Sequence, residues 1–306
     1  MPLCRKKYLA LSLLSILSLN IPLTAQDGSS TGKCGFQDLI IPAPAGTITS
    51  PSGLNDNGAI VGSMSSTTAA NPNTTGFLFS GGKFTHFRFP GSADTFPHDI
   101  NKNGVIVGSF DVTGQPNVQR AFMVHNGVFH QVTLPGFPNA ATSANGVNDL
   151  GDIVGVFTRN GSSVGFLLHQ GKLTIISFPG ATGGTFPSSI NNQGVVVGNY
   201  FISGESNGGV HGFMWKNGAF TNVEFPGAVT TFPVKISNNG DVVGSYIDSA
   251  QIEHGFSFDK GRYSTISRPG FVDTRLTAVN SFDNILGFAF TESGGKWFKG
   301  FCSNLF

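Results

Sequence analysis

Three observations predict an all-β fold, a six-bladed β-propeller closed on itself. A nine-residue pattern, typified by "INKNGVIVG" at 100–108, occurs six times at steps of 43 to 47 residues. Each copy is followed, in the same phase, by short apolar runs separated by glycine turns, with no sustained helical period. The two ends of the chain hold complementary parts of one repeat.

The copies are "LNDNGAIVG" (54–62), "INKNGVIVG" (100–108), "VNDLGDIVG" (147–155), "INNQGVVVG" (190–198), "ISNNGDVVG" (236–244) and a degraded "VNSFDNILG" (279–287). A period of about 40–50 residues is that of a four-stranded propeller blade. In the second unit the strands are expected at about 96–101 (A), 105–111 (B), 120–125 (C) and 128–134 (D). Lys102-Asn103-Gly104 supplies the A–B turn, where Asn and Gly tolerate positive φ. The recurring Asn101 slot is read as a turn former, and the closing Gly108 slot as a place too tight for a side chain. Strand C opens on a small residue and Phe, at Gly76-Phe77, Ala121-Phe122, Gly165-Phe166, Gly212-Phe213, Gly255-Phe256 and Gly300-Phe301. His125-Asn126-Gly127 is a hairpin signal between C and D. Strand D ends in Pro-Gly five times, beginning at Pro90, Pro135, Pro179, Pro226 and Pro269. Only the B–C and D–A connections are long and variable.

The ends indicate closure. "GFQDLIIP" (35–42) matches strand D, with Phe36 in the Phe84 slot and Leu39 in the Phe87 slot. The final "KGFCSNLF" matches strand C, so the last unit has A, B and C but no D. Joining the two completes a sixth blade and closes the ring, whereas an open solenoid would expose two sheet edges and need caps. On this alignment Cys302 takes the Met123 slot and Cys34 the Gly127 slot, flanking one hairpin turn. A disulfide is expected there, within reach of about 5.5 Å between Cα atoms.

Composition bounds the rest. Charged residues are 11 % of the chain and the net charge is +1, which supplies no basic field for nucleic acid. Residues 1–25 have the layout of a secretory signal peptide: Arg5, Lys6 and Lys7, an apolar core from Leu9 to Leu19, and a small-residue end at Ala25. The domain plan is therefore a removed leader (1–25), a short linker (26–33) and one propeller (34–306), secreted to the periplasm or the exterior of a bacterium. No membrane span is expected after cleavage, and the mature chain is expected to be a monomer with no cofactor or metal.

"HGFMW" (211–215), "HGFSF" (254–258) and "RAFMV" (120–124), each following an "INxxGxIVG"-like unit, resemble the HAF-repeat family of extracellular bacterial proteins. The resemblance covers about 36–306. Only two units here begin with His, most have Gly in place of Ala, and strand D ends in "FPG" where that family often has a Leu-Gly-Gly type of ending. The resemblance implies export and repeat architecture, and it assigns no activity or catalytic residue.

The chain has no HExxH, no CxxC pair, no Walker loop, no nucleophile elbow and no repeated sialidase-type box. "NDLGDI" (148–153) has too few carboxylates for a calcium loop. His211 and His254 are read as structural or solvated residues, and His86, His125, His130 and His169 as surface residues on strand D or the C–D turn. Scaffold should repeat and a site should break the repeat. In the two columns that enter the nine-residue pattern, His98, Asp99 and Lys235 break it most, beside Ser52-Gly53, Asn145-Gly146, Ser188-Ser189 and Thr277-Ala278. Asp94 and Asp273, on D–A loops, could join them. Asn145 and Ser188 are further ligand-binding candidates. Phe96, Phe186 and Phe232, each in "TFP", could form a sugar platform or a hydrophobic plug between blades. Catalysis would have Asp99 or Asp94 act with His98 as acid or base and Lys235 stabilise negative charge. Neighbouring residues on a regular strand point to opposite faces, which argues against a concerted His98–Asp99 pair. The residues therefore favour a binding module that presents variable loops to an extracellular or envelope glycan, peptide or protein. A polysaccharide hydrolase or lyase and a purely structural surface protein are the alternatives.

Overall fold

The computed structural model describes residues 33–67, 73–115, 118–205 and 209–303. The leader expected over 1–25, and all but the last residue of the linker, lie outside them. Six four-stranded antiparallel sheets form the ring. Blade 2 runs through Ser92–Ile100 (A), Ile106–Val112 (B), Gln119–His125 (C) and Val128–Gln131 (D). The inner strands of the other blades are Thr47–Leu54, Thr142–Val147, Gly184–Ile190, Thr230–Ile236 and Asp273–Val279. Among the described residues no helix is long and apolar enough to cross a membrane.

Each blade faces its neighbour with apolar side chains. The strand C phenylalanines Phe77, Phe122, Phe166, Phe213, Phe256 and Phe298 are fully buried. The Phe of each "FPG" ending stacks on the strand B aromatic of the next blade. Ring centroids are 3.8 Å apart for Phe89–Phe110, 3.6 Å for Phe178–Tyr200 and 3.7 Å for Phe225–Tyr246. Stacked rings at these distances add to the area they bury. In blade 5 the same slot holds Arg268, which lies 5.4 Å from the Phe298 ring centroid and pairs with Asp38. The closing glycines are required by the ladder itself. A Cβ on Gly108 would lie 2.1 Å from the Phe96 carbonyl oxygen, and one on Gly155 would lie 2.0 Å from that of Ser143.

The recurring asparagine does more than form its turn. Asn101 Oδ1 accepts the N–H groups of Asn103 (3.0 Å) and Val105 (2.9 Å), fixing the A–B turn. Its Nδ2 donates to the backbone carbonyl of Asn148 in the next blade at 2.9 Å. Asn55, Asn148, Asn191 and Asn280 repeat this step onto Asn101, Asn191, Ser237 and Asn55 at 2.9, 3.2, 3.2 and 3.2 Å. The belt circles the axis except at Ser237, whose shorter side chain turns to Asp241 at 2.9 Å.

Closure is as expected. Lys33–Asp38 is the outer strand of blade 6, paired with Gly294–Ser303, which pairs with Asn284–Thr291 and then with Asp273–Val279. Cys34 and Cys302 face each other across that pair with Cα atoms 4.0 Å apart, joined by a disulfide. The register of strand C differs from the sequence alignment. Gly287 pairs with Phe298, as Gly108 pairs with Phe122, so Phe298 and not Phe301 takes the buried slot. Phe301 is 53 % exposed, whereas Phe298 is fully buried. The cause is the short B–C connection of this blade. Thr291 pairs directly with Gly294, and a tight turn fixes everything after it. Cys302 therefore stands in the Asn126 slot, not the Met123 slot, while Cys34 keeps the Gly127 slot. In blade 2 those slots are the hairpin turn itself, with φ of 51° at Asn126 and 78° at Gly127. The disulfide occupies the place that a two-residue turn holds in blade 2.

Candidate functional site

Every inner strand carries a β-bulge, and the bulged residues are Ser52, His98, Asn145, Ser188, Val234 and Thr277. A bulge opposes two residues to one and breaks the alternation of faces. His98 and Asp99 consequently do not point apart, as regular alternation would require; both reach blade 3. His98 Nδ1 lies 3.0 Å from the Ala144 carbonyl, so that nitrogen carries the proton. Asp99 Oδ2 accepts the Val147 N–H at 3.0 Å.

The bulge builds a second belt between blades. Ser52 Oγ donates to the Pro97 carbonyl (2.7 Å), Asn145 Nδ2 to that of Pro187 (2.9 Å) and Ser188 Oγ to that of Pro233 (3.1 Å). His98 supplies the same link from blade 2 to blade 3. Val234 cannot, and the buried Thr277 hydroxyl has no partner.

Asp99 and Lys235 form an ion pair. They sit on blades 2 and 5, three apart in a ring of six, so their pair crosses the axis. Their side chains are 1 % and 11 % exposed. Asp99 Oδ1 also takes the Ile100 N–H at 2.8 Å. Both carboxylate oxygens are thus engaged, and the Lys235 charge is already answered. Lys235 also lines a cavity of about 40 Å³ at the A–B turn end of the axis, among Asn55, Asn101, Asn148 and Asn280. That is room for two or three waters at most.

His98 is surrounded by protein, and desolvation pulls its pKa below the usual 6.5 against the opposing effects of the Ala144 carbonyl and Asp99. Below about pH 6.5 the unfolded chain takes up a proton that folded His98 refuses. Stability is therefore expected to fall as pH drops from 7.5 to 5.5. His98→Asn, which copies Asn145 at the same slot, should flatten that fall. Urea midpoints of the two proteins across this range are the check, and parallel curves would rule it out.

The remaining candidates lie apart from this pair. Asp94 and Asp273 hold equivalent positions at the start of strand A. Asp94 accepts the N–H of Thr74, and Asp273 that of Glu253 at 2.9 Å, each tying down the B–C loop of the preceding blade. Phe186 packs edge-on against Phe201, with centroids 5.1 Å apart. His211 and His254 sit in two similar rim clusters. His211 bridges Glu205 (2.9 Å) and Glu224 (3.2 Å) beside Tyr200, and His254 meets Asp248 (3.0 Å) beside Tyr246. Among the described residues no cluster of three or more His, Cys, Asp or Glu is placed to hold a metal.

A larger opening lies elsewhere, between blades 2 and 3 on the face of the B–C and D–A loops. It is a cleft of about 400 Å³ lined by Asp111, Gln119, Ser143, Phe157, Thr158 and Ser163. Gln119 Nε2 donates to Asp111 Oδ1 at 3.0 Å. A small residue at the Ser143 slot lines it. Pairing with the strand B residue just after the closing glycine, Phe96, Phe186, Phe232 and Arg275 hold the same place in blades 2, 4, 5 and 6, and Ser50 holds it in blade 1. Between blades 5 and 6, Arg275 grips Glu253, which stands in the Gln119 slot, through two bonds of 2.8 Å. Sequence reasoning missed this cleft, although "TSANGV" interrupts the "TFP" series at 142–147. The two columns compared for irregularity began two residues too late.

No family model and no curated protein matches the sequence. Among solved structures the chain is similar to propellers. A triple mutant of AofleA from Arthrobotrys oligospora superposes at a TM-score of 0.52 with 13 % identity, covering 91 % of this chain and 89 % of that one. The β-propeller domain of the Trilobed protease from Pyrococcus furiosus, which has an open velcro topology, gives 0.52 and 10 %, covering 83 % and 81 %. TolB from Acinetobacter baumannii gives 0.50 and 11 % over 81 % of this chain, which spans only 65 % of TolB. Identities this low speak to the fold alone.

Proposed function

We propose that the chain is an exported ligand-binding propeller that engages an extracellular or envelope partner on the face of its B–C and D–A loops. The observation that carries this reading is a contrast. The irregular axial residues are spent on each other and on neighbouring backbone, while the cleft between blades 2 and 3 opens to about 400 Å³, the size of a small-molecule site. The disulfide supports export, since such bonds persist in oxidising compartments. The test is retention of bacterial envelope material on the immobilised, oxidised full chain. Retention should be lost with Ser143→Phe, which copies the aromatic that blades 2, 4 and 5 carry at this place. It should survive Leu150→Asp at an exposed A–B turn on the opposite face. Retention that ignores Ser143→Phe would sink the reading. Turnover of a polysaccharide that vanishes with Asp99→Ala would favour a hydrolase or lyase in its place.

A further inference from the structure

Resting on that reading, we infer that the cleft between blades 2 and 3 takes a neutral, hydroxyl-rich ring: a sugar residue of a glycan.

The lining sets the chemistry. Asp111 is held through one carboxylate oxygen by Gln119 Nε2 at 3.0 Å. Among the described residues, the second Asp111 oxygen and Gln119 Oε1 have no partner, and neither do the hydroxyls of Thr158 and Ser163. A fixed carboxylate beside an amide carbonyl offers two neighbouring acceptors. It calls for a ligand with neighbouring donors. The two hydroxyls can donate or accept, so the ligand must do both. Vicinal alcohols meet both conditions.

Other ligand classes fit less well. Asp111 is the one charged group of the cleft lining, so an anionic ligand meets its repulsion, while the neighbouring cations stand outside the lining, Arg120 on the Gln119 backbone carbonyl at 3.2 Å and Arg159 over the Phe137 ring. The backbone of the lining is engaged in strand pairing: Asp111 with Gln119, Thr142 with Phe157 and Ser143 with Val156. An extended peptide would depend on an unpaired edge to add a strand. Phe157 is only 2 % exposed, so the cleft recognises hydroxyls through polar side chains and lacks an aromatic stacking face.

The molecule also holds a closed version of this site. Between blades 5 and 6 the same slots carry Glu253 and Arg275, locked together at 2.8 Å. Copying that pair as Gln119→Glu with Ser143→Arg should shut the cleft with a native contact.

The experiment is binding of the oxidised full chain to a panel of neutral oligosaccharides, acidic oligosaccharides and basic peptides, with titration of whichever binds. At least one neutral oligosaccharide should bind. Ser143→Phe and the Gln119→Glu/Ser143→Arg double variant should each weaken it more than tenfold, and Asp111→Asn about tenfold, with the thermal midpoint unchanged. Failure of every neutral sugar, or preference for an acidic sugar or a peptide, overturns the assignment. The two levels separate cleanly. If envelope material is retained by the chain and lost with Ser143→Phe while no neutral sugar binds, the sugar class is wrong and the binding cleft stands. If Ser143→Phe changes neither measurement, the cleft itself is wrong.

Discussion

Cys34→Ser, Cys302→Ser or reduction of the intact protein is expected to lower the unfolding free energy by about 5 kcal/mol. The bond closes a loop between residues 268 positions apart. In the chain-entropy account, a cross-link of that span removes a large set of open conformations from the unfolded ensemble. Locally, the bond takes the place of a covalent hairpin turn, and without it the outer strand of blade 6 is held by noncovalent contacts. That hold comprises six paired positions, Lys33–Asp38 against Phe298–Ser303, an edge-to-face contact of 5.4 Å between Phe36 and Phe298, and the ion pairs of Asp38 with Arg268 and Lys296. Denaturant midpoints with and without reductant measure the effect, and limited proteolysis should release the N-terminal strand first. Both single variants should match the reduced protein. A shift below about 1 kcal/mol would mean that pairing alone closes the ring.

Lys235→Met is expected to cost about 3–5 kcal/mol, because it leaves the Asp99 charge buried and unanswered. Asp99→Asn should cost a similar amount by stranding the Lys235 cation. The double variant should recover much of the loss. Asparagine can still accept a backbone N–H with its one oxygen, and methionine fills the lysine stem's space. A double-mutant cycle on urea unfolding gives the coupling, expected well above the roughly 0.5 kcal/mol found for independent sites. Additive losses would show that the two residues do not act as a pair across the axis. The same cycle bears on function, since a pair that holds opposite blades together is a structural strut.

Much of the architecture was legible in the chain because a propeller repeats itself. The closing glycines set the period, the Asn-Gly turns set the hairpins, and the mismatched ends required one shared blade. Cys34 and Cys302 could be paired from the repeat topology. The register of the last strand could not. "GFC" at 300–302 mimics the Gly-Phe motif, and only the tight turn at 292–293 shows that Phe298 is the buried one. The axial residues were equally opaque. His98, Asp99 and Lys235 stood out as irregular, but irregularity alone does not separate a strut from a site. The bulge that turns His98 and Asp99 toward the same neighbour is a property of strand pairing, and the partner of Asp99 lies 136 residues away.

The number of blades, their strand order, the closure and the cysteine pair could be read from the chain alone. All of these follow from periodicity and from the complementary parts of one blade at the two ends. Only the tertiary structure decided which irregular residues neutralise one another and where space remains. Those outcomes depend on side chains from different blades meeting across an axis or an interface. A one-dimensional repeat places such residues in the same column without showing whether they touch. Ser143 illustrates the difference: in the sequence it is one more small polar residue, and in the ring it lines a cleft at a place where blades 2, 4 and 5 carry a phenylalanine.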